Sequence, residues 1–365
     1  MTYLRTVQTR LDGIRAQNRY REVTGEQTSY FADFSSNDYL ALAADSRMVE
    51  ALRRAQRVGA GGARLLGGRH REHWLLEQDI AQWLRRERAL VFSSGYMAAL
   101  GVLQSLAPGF EIIYSDSLNH ASLIDGIRAS GLQRQVYAHA QPPPASQRRG
   151  GALIVTETVF GMDGDTADLP AMIEDLRDDD VVLVDEAHAL GVLGVEGAGI
   201  AAGIDDERLI VLGTLSKAIG SAGGFVAGPA RVIELLVNTA RSFIFDTALP
   251  PAIALAARVG IMLARRADDR RACLFAKAQR LRAGLRSLGY SGHLGETPIV
   301  PVHAGDEERA LELMQHCLER GIYAPAVRPP TVPAGTSRLR ISVRADHTDE
   351  QIDSLLECLS CTAIS

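Results

Sequence analysis

The stretch VVLVDEAHALG (residues 181–191) begins with a continuous apolar run that ends at Asp185. Continuous rather than alternating apolar residues are typical of a strand buried on both faces, as in a parallel sheet covered by helices. Asp185 would then lie at the carboxyl end of the strand, and His188 would follow it. Ligands of open α/β sheets bind at that edge, so the stretch predicts a binding position as well as a fold.

Similar apolar runs lie on both sides of this stretch and alternate with amphipathic segments, HWLLEQDIAQWLRR (73–86) and LPAMIEDLRD (169–178) among them. Further strands are predicted at ALVFSS (89–94), EIIYSD (111–116), GALIVTET (151–158), LIVLGTLS (209–216) and GGFVAG (223–228). Strands that alternate with helices predict an α/β fold with a mostly parallel sheet sandwiched by helices. The proline-rich QPPPASQRRG (141–150) predicts a surface loop.

The composition changes near both ends of the chain. The first 30 residues predict a polar helix that ends near Gly25, followed by a short strand around Phe31 to Phe34. After Pro250 and Pro251, a long Ala- and Arg-rich helix precedes helices mixed with strands at TPIVPVHA (297–304) and SRLRISVR (337–344). We therefore expect an N-terminal helical segment (1–35), a large domain (36–248) and a smaller α+β C-terminal domain (249–365).

Composition also limits the possible partners. The chain has 365 residues, 46% of them hydrophobic and 23% charged, and a formal charge of -5 without a clustered basic face. This balance argues against nucleic acid or a membrane surface as the main partner. No apolar run approaches the roughly 18 residues of a membrane span, and the Arg-rich N-terminus lacks the apolar core of a secretory signal. We expect a cytoplasmic protein.

The cysteines do not indicate a disulfide framework or a metal site. All of them lie late in the chain, and the single CxxC falls in the apolar helical pattern SLLECLSC (354–361), with no second CxxC to complete a zinc site. They are Cys273, Cys317, Cys358 and Cys361. We expect no bound metal.

Lysine is rare in this sequence. Of the 39 basic residues, only Lys217 and Lys277 are lysines. Lys217 lies in VLGTLSKAIGSAGG (211–224), among apolar, Gly, Ser and Thr residues rather than on a polar helix face. Guanidinium cannot replace a primary amine in Schiff-base chemistry, which makes Lys217 the candidate nucleophile. An incidental surface lysine is the alternative.

The string DEAH also occurs in the Walker B box of helicase-type ATPases. That function requires a phosphate loop of the form GxxxxGK followed by Ser or Thr. Lys217 is followed by Ala218, and Lys277 lies in FAKAQ (275–279), so neither lysine provides such a loop. The lysine count therefore argues strongly against an ATPase.

Asp185, His188 and Lys217 have a coherent joint role in binding pyridoxal phosphate (PLP). A lysine forms an imine with its aldehyde, and an aspartate keeps the pyridine nitrogen protonated so that the ring acts as an electron sink. A histidine beside them can hydrogen-bond the ring oxygen. This combination predicts a PLP site at the end of the 181–185 strand.

The phosphate of such a cofactor would fit SSGYMAAL (93–100), where a predicted strand ends and a helix begins. The amides of Gly95 and Tyr96 would face an anion at this helix N-terminus. Thr214 and Ser216, beside the lysine, would add hydroxyl contacts. His120 precedes another predicted helix, where a capping role and a ring-stacking role both remain open.

The motifs together resemble a known family, the PLP-dependent α-oxoamine synthases of aminotransferase fold type I, over nearly the whole chain. The matching strings are FSSNDYLAL (34–42), GGARLLGG (61–68), SSGYMAAL (93–100), NHASLIDG (119–126), TETVFGMDGD (156–165), VDEAHALGVLG (184–194), GTLSKAIGSAGG (213–224), FIFDTALPP (243–251) and RPPTVPAGTSRLR (328–340). Within the family, LDGIRAQNRYR (11–21) and RPPTVPAGTSRLRIS (328–342) resemble members that condense L-alanine with a pimeloyl thioester.

The resemblance implies roles for individual residues. Lys217 would carry PLP as a Schiff base, Asp185 would pair with the pyridinium, His188 would contact the ring hydroxyl, and His120 would stack on the ring and adjoin the substrate. These are the implied catalytic residues. The other implied contacts are Gly95, Tyr96, Thr166 and Thr214 for the cofactor, Asn37 and Arg340 for the amino-acid carboxylate, and Arg21 and Thr331 for the acyl substrate.

Three positions depart from the family pattern. Ala60 and Ala63 stand where relatives often carry Ser. Asp246 stands where Ser or Thr is frequent, a hydroxyl that in this fold reaches the phosphate of the partner subunit. An acid there would repel a phosphate unless it points away. Thr247 is the neighbouring hydroxyl.

The resemblance implies a homodimer that joins L-alanine to a pimeloyl thioester, carried by coenzyme A or acyl carrier protein, with release of carbon dioxide and thiol in biotin biosynthesis. Another acyl donor is the first alternative, as in glycine C-acetyltransferase, 5-aminolevulinate synthase or a longer-chain acyltransferase. A non-catalytic or regulatory cofactor-binding protein on the same fold is the second.

Overall fold

The computed structural model describes residues 3–22, 30–290 and 292–360. Its strands are β1 (Ala32–Asp33), β2 (Arg88–Phe92), β3 (Ile112–Asp116), β4 (Arg134–Tyr137), β5 (Ala152–Glu157), β6 (Val181–Asp185), β7 (Leu209–Thr214), β8 (Gly224–Gly228), β9 (Ile299–Gly305), β10 (Ile322–Tyr323), β11 (Ala326–Val327) and β12 (Ser337–Ser342).

The α-helices, in chain order, are α1 (Tyr3–Ala16), α2 (Ser46–Arg53), α3 (Arg71–Trp83), α4 (Gly95–Leu106), α5 (Ala121–Ser130), α6 (Leu169–Glu174), α7 (Ala230–Thr239), α8 (Arg241–Ile244), α9 (Pro251–Arg265), α10 (Asp268–Ser287), α11 (Glu307–Leu318) and α12 (Asp349–Ser360). Over the described residues, none of these helices combines the length and apolar character needed to cross a membrane.

The chain forms two compact units. The larger comprises Asn37–Gly161 and Asp165–Ala272, and the smaller comprises Met1–Ser36, Met162–Gly164 and Cys273–Ser365. The division thus differs from the boundaries expected from composition, because the N-terminal segment groups with the C-terminal part and the boundary falls within α10.

The larger unit is built on a seven-stranded sheet, counted over the described residues, with strand order β2-β8-β7-β6-β5-β3-β4. Only β8 runs antiparallel to its neighbours in this sheet. Each apolar run of the sequence forms a strand here, and the predicted α/β fold class is confirmed. β4 was not predicted, because its sequence RQVY is mostly exposed and contains no apolar run.

Helix α4 packs directly on this sheet. Ala98, Ala99, Val102 and Leu103 are fully buried in one core cluster with strand residues such as Phe92. Each large side chain buried in this way stabilises the fold by about 1.5–3 kcal/mol. The packing fixes the N-terminus of α4 at the edge of the sheet where the candidate site lies.

The smaller unit contains a three-stranded antiparallel sheet, β11-β12-β9, and a parallel pair, β1 with β10. Lys277, on α10, donates a hydrogen bond from Nζ to the carbonyl of Ala345 at 2.6 Å. Cys358 is buried, as its apolar helical pattern predicts, whereas Cys361 lies outside the described residues.

One helix prediction is wrong in extent. α1 ends at Ala16, where a turn follows, rather than near Gly25, which itself lies outside the described residues. After Pro250, the predicted Ala- and Arg-rich helix is α9, which ends at Arg265, and α10 then starts with acidic residues in its first turn. Such acidic residues favour a helix N-terminus.

The 141–150 segment is anchored by a buried ion pair. The carboxylate of Asp180 accepts from Arg148 Nε at 3.0 Å, from Arg177 Nη2 at 2.8 Å and from the amide of Ala152 at 3.1 Å. The Arg148 side chain is only 1% exposed. The prediction of a surface loop is therefore wrong at Arg148, because its guanidinium binds a buried carboxylate. The sequence does not indicate this contact, since Asp180 lies far along the chain.

Replacing Asp180 by Asn should cost about 3 kcal/mol of unfolding free energy, because Arg148 would stay buried with only the half-exposed Asp175 as its counter-charge. Burial raises the pKa of Asp180, but Arg177 and Arg148 outweigh it and hold the pKa below its usual value. The stabilisation is thus present above the unfolded pKa of about 3.9 and is lost as pH falls through the folded value. Urea unfolding across pH measures both effects.

The matched control is Glu207→Gln, which removes a pair with Arg231 in which both side chains are more than 70% exposed. It should cost less than about 1 kcal/mol. Equal midpoint shifts for the two variants would contradict the structural role assigned to Asp180.

Candidate active site

The candidate site lies at the carboxyl edge of the large sheet. Because every strand but β8 runs in the same direction, their C-terminal ends meet at one edge. The predicted cofactor residues all lie in the larger unit, at these ends or on the segments that follow them, namely Gly95, Tyr96, His120, Thr166, Asp185, His188, Thr214 and Lys217.

Asp185 ends β6 and is buried, with 7% of its surface exposed. Its Oδ1 accepts the amide of Ala187 at 2.8 Å. Burial raises the pKa of this carboxyl, while the charge of Lys217, the Ala187 amide and His120 all act to lower it. Lys217 follows β7, is half-buried and lies close enough to act electrostatically on Asp185. The predicted aspartate and lysine are therefore brought together.

His188 is also buried, and Tyr39 determines its orientation. The Tyr39 hydroxyl lies 2.8 Å from His188 Nδ1 and 3.2 Å from Asn37 Oδ1. The chain therefore links Asn37, predicted to contact substrate, to the histidine predicted to contact the cofactor. This hydrogen bond at Nδ1 fixes the orientation of the imidazole ring.

His120 is the N-cap of α5, where its Nδ1 accepts the amide of Ser122 at 3.2 Å. Its own amide donates to Glu157 Oε1 at 2.5 Å. Desolvation by surrounding protein lowers the pKa of His120, although part of the side chain remains exposed, and Lys217 lowers it further against the opposing effect of Asp185. The capping role that the sequence left open is present, with a neutral ring.

Glu157, at the end of β5, is the residue of this edge that the sequence did not single out. It is 4% exposed and pairs in register with Asp185. Burial raises its pKa well above the usual value, and Asp185 adds to the effect. Its position inside the apolar string GALIVTET was the available signal, because a carboxylate within a buried strand needs a partner. Tyr39 carried no comparable signal, since it looks like an ordinary core aromatic.

The N-terminus of α4 and Thr214 form an anion cradle. Ser94 caps the helix by accepting the Met97 amide at 3.2 Å, which leaves the first-turn amides of Gly95 and Tyr96 directed outward. Thr214 Oγ1 lies 3.5 Å from the position that a Cβ on Gly95 would take. The absence of a side chain at Gly95 keeps these amides open to an anion. The Thr214 hydroxyl beside them donates to the Gly223 carbonyl at 3.0 Å.

Three neighbouring residues take positions that the sequence did not specify. The hydroxyl of Tyr96 donates to Asp125, so only its backbone faces the cradle. Asp246, the acid that departs from the family pattern, accepts from Ser93 Oγ and from the Thr247 amide. These two donors stabilise the negative charge of Asp246. Thr166 is exposed and pairs with Val159 in an isolated bridge.

The predicted substrate residues Arg21, Thr331 and Arg340 lie in the smaller unit. Arg340, on β12, is 5% exposed and donates from Nη1 to Ser342 Oγ at 2.7 Å. Arg21 reaches the carbonyl of Pro329 at 3.5 Å, next to the turn in which the Thr331 amide donates to Arg328. Arg21 and Thr331 are thus brought near each other.

The donor set of the larger unit fits PLP. An outward anion cradle suits a phosphate, a half-buried amine on the next loop suits an aldehyde, and a buried carboxylate suits a protonated pyridine nitrogen. The three groups follow β2, β7 and β6, and only the antiparallel strand β8 lies between β2 and β7. Each requirement of the cofactor is therefore met by a different residue type at the same edge.

Comparison with known proteins gives the family. The family model of aminotransferase class I and II matches residues 31–359, and the chain belongs to that family. Among curated proteins it is similar to the 8-amino-7-oxononanoate synthase of Thioalkalivibrio sulfidiphilus, with 41% identity over 98% of this chain and 97% of that protein. The 8-amino-7-oxononanoate synthase of Hahella chejuensis is 44% identical over 92% of this chain and 87% of its own length.

Comparison with solved structures supports the same family. A serine palmitoyltransferase variant from S. paucimobilis with a bound PLP–myriocin aldimine has a TM-score of 0.89 and 28% identity, covering 99% of this chain and 98% of that chain. An 8-amino-7-oxononanoate synthase from Francisella tularensis has a TM-score of 0.80 and 28% identity, covering 91% and 97%. The predicted family resemblance and aminotransferase fold type I are confirmed.

The cradle depends on Gly224, which pairs in register with both Phe92 and Thr214. A Cβ on Gly224 would collide with the backbone of Ser94 and Gly95. Gly224→Ala should therefore cost about 1–3 kcal/mol of stability through overpacking and weaken PLP binding by about tenfold, or ~1.4 kcal/mol. Absorbance titration of the apoprotein with PLP, alongside urea unfolding, measures both.

Gly228→Ala on the same strand is the control, since its Cβ would meet Ile210 at an ordinary 3.8 Å. It should leave PLP affinity unchanged. If Gly224→Ala bound PLP as tightly as the Gly228→Ala control, the geometry assigned to the cradle would be wrong.

Proposed function

We propose that this protein is an 8-amino-7-oxononanoate synthase, which condenses L-alanine with a pimeloyl thioester and releases carbon dioxide and the thiol carrier in biotin biosynthesis. Identities of 41–44% to curated synthases over most of the chain support it. The observation that carries the proposal is the placement of Lys217 and Asp185 beside the anion cradle at one sheet edge.

PLP, when bound, supplies an electron sink for the carbanion that forms at the α-carbon of the amino acid. The amides of Gly95 and Tyr96 would hold its phosphate, and the Thr214 hydroxyl would join them by turning away from the Gly223 carbonyl. Asp185 would hold the proton at its ring nitrogen, and His188 would contact its ring oxygen. The burial of Asp185 favours this role, because a carboxylate removed from water binds a cationic partner strongly.

Lys217 Nζ is the proposed base that takes the α-proton of alanine and later returns a proton to the product. Its place on the loop after β7, three residues from Thr214, puts the amine at the sheet edge where the cofactor phosphate would bind. His120 is proposed to donate from Nε2 to the substrate, because its Nδ1 accepts the Ser122 amide and its lowered pKa keeps the ring neutral. Asn37, Thr166, Arg21, Thr331 and Arg340 keep their predicted binding roles.

A longer-chain acyltransferase is the second candidate. Structures of serine palmitoyltransferase reach a TM-score of 0.89, above the 0.80 of the Francisella tularensis synthase. Sequence identity favours the first candidate, at 41–44% against 28%. The two candidates differ in both substrates, so one set of assays separates them.

The test is a panel of amino acids and acyl thioesters, with carbon dioxide release and free thiol measured together. Alanine with pimeloyl thioester should turn over well above alanine with acetyl or palmitoyl thioester, because the proposed substrate pair is unique to this reaction. Supplying the pimeloyl group on coenzyme A and on acyl carrier protein identifies the carrier. Faster turnover of serine with palmitoyl thioester, or of glycine with acetyl thioester, would overturn the proposal.

The two lysines supply a matched pair of variants for the same assay. Lys217→Ala should lower turnover by about 10²–10⁴-fold and abolish borohydride trapping of PLP, whereas Lys277→Ala should retain both. A trapped adduct on Lys217→Ala would show that another amine holds the cofactor.

We further propose a homodimer located in the cytoplasm. Two large apolar side chains of the larger unit are exposed, Leu66 at 80% and Phe245 at 70%. Exposed apolar side chains of this kind support a subunit interface. Light scattering of the purified protein should return about twice the chain mass of 39.4 kDa. A monomeric mass at micromolar concentration would contradict the dimer, and cell fractionation checks the location.

A further inference from the structure

His139 lies between two carboxylates beside the candidate site. Its Nδ1 is 3.0 Å from Asp116 Oδ1, and its Nε2 is 2.5 Å from Asp165 Oδ2. The ring edge packs against Phe160, with centroids 4.3 Å apart and planes at 90°. Asp116 and Phe160 are each 1% exposed. The imidazole is therefore held at both nitrogens and on one side.

The chemistry of this arrangement requires an imidazolium. A neutral imidazole has one donor and one acceptor nitrogen, and an acceptor nitrogen facing a carboxylate would be repelled. Burial alone lowers the pKa of His139, but the bonds to Asp165 and Asp116 outweigh it and raise the pKa. Protonated His139 thus donates to both carboxylates.

Asp116 holds the turn that carries His120 by hydrogen bonds. Its Oδ1 also accepts the amide of Leu118 at 2.8 Å, two residues before His120, and its Oδ2 accepts the amide of Ala140 at 2.8 Å. Ala140 has a φ of 53°, a left-handed conformation that is unfavourable for a residue with a side chain. The structure accepts this strain to bring the 139–140 turn onto Asp116.

Asp165 ties down the turn that carries Thr166. The carbonyl of Asp165 accepts the amide of Phe160 at 3.0 Å, and Thr166 pairs with Val159 in a bridge. Asp165 Oδ1 is buried without a hydrogen-bond partner. The imidazolium is therefore the group that compensates the charge of this carboxylate.

We propose that His139 is a positioning residue for the cofactor site. As a cation between Asp116 and Asp165, it joins the turn bearing His120 to the turn bearing Thr166 and so sets the distance between these two sides of the bound PLP. His139 acts through the two aspartates, without touching the cofactor. The inference rests on one part of the proposed function, namely that PLP binds at this sheet edge.

The test uses His139→Phe, Asp165→Asn and the double variant of the full chain. His139→Phe keeps a ring against Phe160 but removes both donors, and Asp165→Asn removes one charge. Each single variant should weaken PLP binding by about tenfold, the size expected when a residue that orients a binding group is removed. Each should also reduce the visible circular dichroism per bound PLP, because the cofactor is held less rigidly.

The double variant decides whether one bridge is involved. Two residues that act through the same contact give a combined loss smaller than the product of the single losses. Tyr137→Phe is the control, since it removes the hydrogen bond of a buried hydroxyl to the carbonyl of Val155 on β5 and should leave PLP affinity and dichroism unchanged.

Several outcomes would overturn the proposal. Unchanged affinity and dichroism in folded His139→Phe would do so, as would single losses that multiply in the double variant. If His139→Phe does not fold, Asp165→Asn alone must still show both losses. None of these measurements uses an acyl donor, so wild-type protein inactive with pimeloyl thioester would refute the proposed function without affecting this result.

Discussion

The common direction of the strands is the constraint on which the site depends. It places the buried carboxylates of Glu157 and Asp185 at neighbouring strand ends, and Glu186 directly after them. Burial raises the pKa of Glu186 to about 7, and the same cause raises the pKa of the other two. A sheet edge this acidic needs cationic or donor groups nearby. Lys217 acts on Asp185 and Glu157, the amides of His120 and Ala187 donate to them, and Glu186 accepts from the Thr158 hydroxyl and the Ala201 amide.

The sheet was predictable because burial on both faces requires continuous apolar sequence, and such runs are visible without any tertiary information. β4 lacked such a run, and α1 ends at a local cap, where Asn18 takes a left-handed φ of 53° and the amides of Asn18 and Arg19 donate to the last turn. Lys217 and Asp185 were also predictable, since each is an unusual residue type in an apolar setting. Tyr39 and Glu157 were not, because their roles arise from hydrogen bonds to His188 and His120, which lie far away in sequence.

Buried ion pairs of this protein use arginine as the cation. Arg148, Arg338 and Arg340 are each no more than 6% exposed, and the first two pair with carboxylates. A guanidinium tolerates such positions because it stays charged and spreads its charge over several donors. Lysine is excluded from these structural positions, which separates the residues that stabilise the fold from the amine assigned to chemistry.

Because lysine is so rare in this chain, an aldehyde can react with few side chains. Pyridoxal phosphate is a reactive aldehyde, and in most proteins it condenses with many surface lysines. Here the other lysine side chain, Lys277, already donates its Nζ to the Ala345 carbonyl. An aldehyde that meets this chain therefore finds almost no decoy side-chain amines. Occupancy of Lys217 can be read from bulk absorbance with little background, and amine-directed labelling reports mainly on the position proposed for catalysis rather than on the whole surface.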